Sequence, residues 1–178
     1  MTGSGYSTLV MTVIGADRPG LVETLAAPVT RHGGNWMESR MAHLEGEFAG
    51  ILRVEVPSNS VDALIEALSA LESQGLHLTV QSHRVAQPAT PERRLSVRFH
   101  LVGQDRPGIV AKVSRVLCTN GANVEELVTG CKCAPMTGEV LFEAEATVSV
   151  PHSESITPLR IALEAIASDL MVDVDFDE

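Results

Sequence analysis

Aromatic side chains are scarce in this 178-residue chain: four Phe, one Trp and one Tyr make up 3% of it. Any core must therefore be aliphatic, and an apolar content of 44% is enough to build one. Positive charge is also short. Thirteen Lys and Arg face 23 Asp and Glu, a formal net charge of −10. That balance argues against direct contact with nucleic acid, which needs clustered cations on the phosphates. Three cysteines exclude a disulfide framework and suit a reducing compartment. No apolar run reaches the roughly 18 residues of a membrane span. Met1 to Gly5 has neither the basic nor the apolar region of a secretory signal. The expectation is a soluble cytoplasmic protein with no membrane partner. The nucleotide-binding Gly-x-x-x-x-Gly-Lys-Ser/Thr loop, the Gly-x-Ser-x-Gly elbow and the His-Glu-x-x-His pair are all missing. Nothing implies an enzyme or a cofactor.

What is present is a repeat. Asp17-Arg18-Pro19-Gly20 returns unchanged as Asp105-Arg106-Pro107-Gly108, at an offset of 88 residues. Gly15 and Gly103, Val22 and Val110, Gly33 and Gly121, Asn35 and Asn123, and Glu38 and Glu126 match at the same offset with no gap. A match that holds register this far marks a duplicated module. The length allows two domains of about 80–90 residues.

Each copy of the motif follows an alternating apolar run and precedes a helical pattern, so it belongs at a strand-to-helix turn. Asp suits the N-cap, where its carboxylate accepts from the first turn of amides. Pro two residues later fits that first turn, where its missing N–H costs nothing. Gly permits close approach to the backbone. A helix start presents unpaired N–H groups and partial positive charge, ready for a carboxylate or phosphate. From these residues alone the turn reads either as a capped turn or as a ligand-receiving one.

Along the chain, residues 6–14 alternate, with Leu9, Met11 and Val13 on one face. Leu21, Val22, Leu25 and Val29 form a helical stripe that Pro28 should kink or end, and Gly33-Gly34 closes the helix. Strands follow at about 35–44 and 48–56, joined by a hairpin at Glu45-Gly46-Glu47, with Leu52, Val54 and Val56 inward. Val61, Leu64, Ile65, Leu68 and Leu71 mark a second helix, Gly75 ends it, and Leu76, Leu78 and Val80 form a fourth strand. The order β-α-β-β-α-β is the ferredoxin-like arrangement, an α+β fold with a four-stranded antiparallel sheet and both helices on one face.

The second copy repeats it. Leu95, Val97, Phe99 and Leu101 alternate, and Ile109, Val110, Val113, Val116 and Leu117 make the helical stripe. A strand starts near Asn123, and its continuation, about Gly130 to Gly138, has no counterpart in the first copy. The offset grows to 94 where Pro57 meets Pro151, an insertion of six residues. Ala144, Ala146, Val148 and Val150 form the third strand. Thr157 and Pro158 read as N-cap and first residue of the last helix. Val172, Val174 and Phe176 close the sheet. The expected organisation is one domain at 1–86, a Pro-bearing linker at 87–93 and a second domain at 94–178.

A unit of this order, with Asp-Arg-Pro-Gly at its first turn and Gly33-Gly34-Asn35 or Gly121-Ala122-Asn123 opening its second strand, resembles the ACT domain. The resemblance covers about 6–85 and 94–177. Two ACT copies without an attached enzyme resemble the family of glycine cleavage system transcriptional repressors. ACT units are regulatory modules that commonly bind amino acids, so the resemblance implies a regulator that takes a small amino acid such as glycine or serine. It implies action through a protein partner such as a transcription factor. The alternative is an interaction module without a ligand that regulates an enzyme. Since ACT units often associate side by side, a homodimer is one expected arrangement. Carried over from ligand-binding ACT proteins, the site comprises Asp17, Pro19, Gly20, Leu21 and Asn35 in one copy and Asp105, Pro107, Gly108, Ile109 and Asn123 in the other.

The copies differ where Trp36-Met37 stands against Val124-Glu125. A ring this large belongs to the core or an interface more readily than to a ligand contact. Cys131 and Cys133 share one strand face, but with Cys118 and the scattered histidines they do not make a zinc spacing, and no metal is expected. Glu143, Glu145, Asp173, Asp175 and Asp177 fall on outward positions and read as a solvated acidic face.

Overall fold

The computed structural model describes residues 5–83, 94–134, 138–170 and 172–176. The chain divides into two compact units, Met1–Ala89 and Thr90–Glu178. The linker expected at 87–93 lies outside the described residues, as does Asp177.

The first unit runs β1 (Tyr6–Ala16), α1 (Leu21–Arg31), β2 (Asn35–Leu44), β3 (Glu47–Pro57), α2 (Val61–Ser69, continued by a 3-10 turn through Gln74) and β4 (Leu76–His83). The second runs β5 (Leu95–Gln104), α3 (Ile109–Thr119), β6 (Asn123–Cys133), β7 (Val140–Val150), α4 (Ile156–Leu170) and β8 (Val172–Phe176). The sheets are ordered β2-β3-β1-β4 and β6-β7-β5-β8, with every neighbouring pair antiparallel. These are two ferredoxin-like units in tandem.

Alternation decides which face is buried. Leu9, Met11 and Val13 of β1 and Leu52, Val54 and Val56 of β3 point inward and are almost fully buried. Leu21, Leu25, Val29, Leu64 and Leu68 of the helices complete one aliphatic core. Each such side chain contributes about 1.5–3 kcal/mol by leaving water. The second core has the same plan around Phe99, with Leu159 and Leu163 of α4 in the places of Leu64 and Leu68. Trp36 is partly buried and packs against the first core. The hairpin between β2 and β3 turns through Glu45 at φ 50° and Gly46 at φ 84°, the pair of positive values that a tight antiparallel connection requires. No helix among the described residues is long and apolar enough to cross a membrane.

Several local expectations are corrected. Asp17 and Asp105 do not cap. The N-caps are Gly20 (φ 90°) and Gly108 (φ 94°), and the helices begin one residue after Pro-Gly. Proline therefore sits in the turn itself, outside the helix. Glycine is there for its left-handed backbone and not for close approach, because a Cβ at either position would meet nothing within 4 Å. Pro28 does not end α1, which continues to Arg31; it lies on the buried face and forfeits a single helical hydrogen bond. Val22 and Val110 are exposed at 49% and 42%, because burial follows positions 21, 25 and 29 and their equivalents 109, 113 and 117. The last helix starts at Ile156 behind a 3-10 turn at Ser153–Ser155, so Pro158 falls inside its first turn and Thr157 is no cap. The third strand of the second unit starts at Val140, four residues ahead of Ala144. The inserted residues lengthen β6 to Cys133 and widen its hairpin.

One irregularity recurs. β2 bulges between Trp36 and Glu38, and β6 bulges between Val124 and Glu126, at equivalent positions. The bulge sets Glu38 beside Arg40 (2.8 Å) and Arg53 (3.6 Å) on the sheet face away from the helices. The Arg40 hydrogen bond, then the charges of Arg40 and Arg53, lower the Glu38 pKa from its ordinary value of 4.5.

Two outcomes follow. Gly20→Ala should cost about 1–2 kcal/mol through its left-handed backbone. Gly15→Ala should cost more, about 3 kcal/mol, because its Cβ would lie 2.5 Å from the Gly75 carbonyl and force the backbone apart. Trp36 is the chain's one tryptophan, so its fluorescence in urea reports the first unit and ranks the two variants. In an NMR titration the Glu38 carboxyl should ionise below 4.5, and Arg40→Gln should bring its midpoint back up. Any stability the pair adds is present above 4.5 and fades as pH falls through the lowered midpoint. The group is exposed, so the midpoint is the quantity to read.

Candidate functional site

The two strand-to-helix turns are built the same way. β1 ends at Ala16, and the Asp17 amide then donates to the Gly46 carbonyl of the hairpin at 2.8 Å. In the second unit the Asp105 amide donates to the Val140 carbonyl at 3.0 Å. This bond ties each turn to the β2–β3 or β6–β7 connection. Gly20 then swings the chain into α1, and its carbonyl accepts the first helical bond, from the Thr24 amide at 2.9 Å. The Thr24 hydroxyl donates to the same carbonyl. Lys112 makes the equivalent amide bond to Gly108 at 3.0 Å.

By helix geometry the amides of Leu21, Val22 and Glu23, and of Ile109, Val110 and Ala111, precede that first bond. No described side chain caps either helix. Asp17 to Gly20 and Asp105 to Gly108 are exposed. Leu21 and Ile109 are 3% and 2% exposed, so their side chains anchor the helix in the core, and by helix geometry their amides point along the axis toward the turn. The result is a ring of N–H groups with partial positive charge and a carboxylate at its rim. Such a ring can accept a ligand carboxylate while the Asp side chain accepts from an ammonium.

The register separates two of the expected residues from this place. Ala16 pairs with Glu47 and Thr8 with Glu55, and Asn35 also pairs with Glu55. Asn35 therefore lies at the far end of the sheet, about 26 Å along β3 from the turn. Asn123 is displaced likewise, opposite Ser149 and Ser96. The cause is α1 itself, whose eleven residues carry the chain back down the sheet before β2 begins. Asn35 donates locally to the Met37 sulfur instead.

The hairpin brings other residues to the turn. His43, near the end of β2, places Nε2 3.7 Å from Asp17 Oδ2. Its counterpart in β6 is Cys131, which lines a shallow depression with Asp105, Arg106 and Gly108. The sequence held a signal for both: an antiparallel hairpin returning to the end of β1 must bring the last residues of β2 beside the motif. Arg18 donates to the Gln74 carbonyl at 3.2 Å and fixes the turn to the end of α2, whereas Arg106 donates to Gln104 Oε1 at 2.8 Å.

Cys118, Cys131 and Cys133 are free and exposed, and among the described residues no group of His, Cys, Asp or Glu is arranged to hold a metal. On the outer face of the second sheet, Lys132 pairs with Glu143, which raises the Lys132 pKa above 10.5. His100 stands in register between Glu145 and Asp175 on that face.

Comparison with known proteins bears on the fold. Residues 7–81 match the model of the ACT domain. Over 170 residues the chain is 28% identical to the glycine cleavage system transcriptional repressor of Escherichia coli (strain K12), covering 96% of this chain and 89% of that one. It is 25% identical to phosphoserine phosphatase SerB2 of Mycobacterium tuberculosis, covering 96% of this chain but 41% of that enzyme. The crystal structure of an unknown protein from Galdieria sulphuraria is similar with a TM-score of 0.84 at 28% identity, covering 98% of this chain and 99% of that one. The family model fits the first unit, which is an ACT domain, and the second unit repeats its element order, its Asp-Arg-Pro-Gly turn and its bulge.

Proposed function

We propose that this tandem is an amino-acid-responsive regulator that takes a small amino acid, glycine or serine, at its Asp-Arg-Pro-Gly turns and acts through a protein partner such as a transcription factor. Its family and its similarity to a transcriptional repressor support a regulatory role. The observation that carries the ligand reading is the openness of both turns. Each helix start keeps its amides clear of side-chain caps, and the space over Gly20 and Gly108 is empty to 4 Å. A turn that served only as a cap would spend those amides on its own Asp.

The ligand's carboxylate would lie on the amides after Gly20 or Gly108, with its ammonium toward Asp17 or Asp105. Regulation then works by population shift: the ligand favours whichever state of the protein binds it better, and the partner reads that state. A net charge of −10 supports a protein partner over direct contact with DNA. We assign the chain no catalytic step. The similarity to 41% of a phosphatase favours a second reading, in which such a tandem regulates an enzyme.

Calorimetry of the whole chain against the twenty amino acids tests the ligand. Glycine or serine should bind, and Asp17→Asn and Asp105→Asn should each weaken one binding event about tenfold or more, the value of a charge-assisted hydrogen bond. Silence across the panel would defeat the reading. In a gel-shift assay the chain alone should leave DNA unmoved; a salt-sensitive shift would replace the protein partner by DNA.

A further inference from the structure

The duplication left the two sheets with unlike outer faces. In each unit the helices pack on one face of the sheet, and alternation sends the other set of side chains out on the opposite face. At the centre of the first sheet that set is uncharged. Thr12 and Ile14 of β1 lie in register with Ile51 and Ala49 of β3, and Ala42 of the edge strand β2 continues the row beside Ala49. Ile14 and Ile51 are 49% and 48% exposed. At the equivalent places of the second sheet stand His100 for Thr12, Glu145 for Ile51 and Glu143 for Ala49, with Arg98 for Val10 and Asp175 for Thr79. One copy has the charged exterior of a solvated sheet. The other presents aliphatic side chains on a face that none of its helices covers.

Charge limits what can lie there. The chain carries a net charge of −10, so two copies repel unless they meet where acidic groups are few. Contact through the outer face of the second sheet would crowd Glu143, Glu145, Asp173 and Asp175 together. On the first sheet Glu38, Arg40 and Arg53 gather at one corner and pair among themselves, and Glu47 and Glu55 stand toward the two ends of β3. A two-fold contact sets one patch against itself. An apolar centre with a polar rim complements itself, whereas a patch of one charge sign does not. The area is also sufficient. Four strands of 8–11 residues, about 4.8 Å apart with a rise of about 3.4 Å per residue, cover roughly 600 Å² in projection. Side-chain relief adds to that, and a specific interface buries about 800 Å² per partner.

We propose that the outer face of the first sheet is the contact between two copies of this chain, stacked face to face over Ile14, Ala49 and Ile51, while the outer face of the second sheet stays in water. Sheets packed in this way lie about 10 Å apart with their side chains interdigitated. The contact requires nothing at the strand-to-helix turns, so it stands or falls apart from the ligand reading.

Sedimentation equilibrium of the full chain tests this, with variants that write residues of the second unit into the first. Ile51→Glu copies Glu145 and Ala49→Glu copies Glu143, so each introduces a side chain that the same sheet position holds in the other unit, on the face away from the core. Val128→Glu serves as the comparison, because Val128 is 57% exposed and stands opposite Glu145 on the outer face of the second sheet. Circular dichroism verifies that each variant is folded. The wild type should be a dimer at about 10 μM. Each first-unit variant should raise the dimer Kd about a hundredfold or more, since a symmetric contact loses the side chain twice and then opposes like charges. Val128→Glu should leave it unchanged. A wild type that stays monomeric at about 100 μM overturns the proposal and leaves the face to a different protein. A dimer that survives either folded first-unit variant overturns it too, as does one that Val128→Glu dissociates, which would move the contact to the second unit.

Discussion

A glycine near φ 90° between strand and helix, at residue 20 and again at 108, is the constraint on which the rest of each unit depends. An L-residue pays to stand there, and glycine does not. The left-handed step lets the chain leave the end of a central strand and enter a helix lying on the sheet within four residues. It fixes the first buried helical position, Leu21 or Ile109, which in turn fixes the stripe at every third or fourth residue that follows. It also leaves the first helix amides without a side-chain cap at the exposed turn. Packing and the direction of the polar ring come from the same step: the side chain after glycine goes down into the core, and the first amides point along the helix axis toward the turn.

This division explains what could be read from the chain and what could not. Alternation and helical spacing mark the strands that line the cores and the four helices, because each core-facing set is apolar, although outward positions such as Ile14 and Ile51 are apolar as well. The repeat of Asp-Arg-Pro-Gly located both turns. What escaped was local or long-range. Asp17 carries the residue type of a cap, yet its amide is held by Gly46, a partner 29 residues away that only the folded hairpin brings close. Val22 has the right spacing for the stripe but lies on its margin, where helix rotation against the sheet decides burial. Asn35 follows the Gly33-Gly34 pair, but its strand begins a full helix length away from the turn.

His43 and Cys131 show the complementary case. Neither belongs to a motif, and each is one of several scattered residues of its type. Topology alone gives them meaning: the β2–β3 and β6–β7 connections fold back onto the ends of β1 and β5, so the last residues of the edge strand flank the motif. The two turns share a backbone and differ in the chemistry at the rim, an imidazole against a carboxylate in one and a thiol beside a carboxylate in the other.

The bulges carry the comparison between units one step further. They recur at Trp36/Glu38 and Val124/Glu126 although the side chains there are unlike. A bulge re-aims the strand and strengthens its twist, and both edge strands carry it near their start. Trp36 and Met41 lie partly buried against the first core where Val124 and Thr129 stand in the second, and Val124 is 40% exposed. Ser39 and Leu127 run the other way, a small polar residue against a large apolar one. The two copies share an element order and a bulge, and they distribute apolar volume differently along the same edge strand.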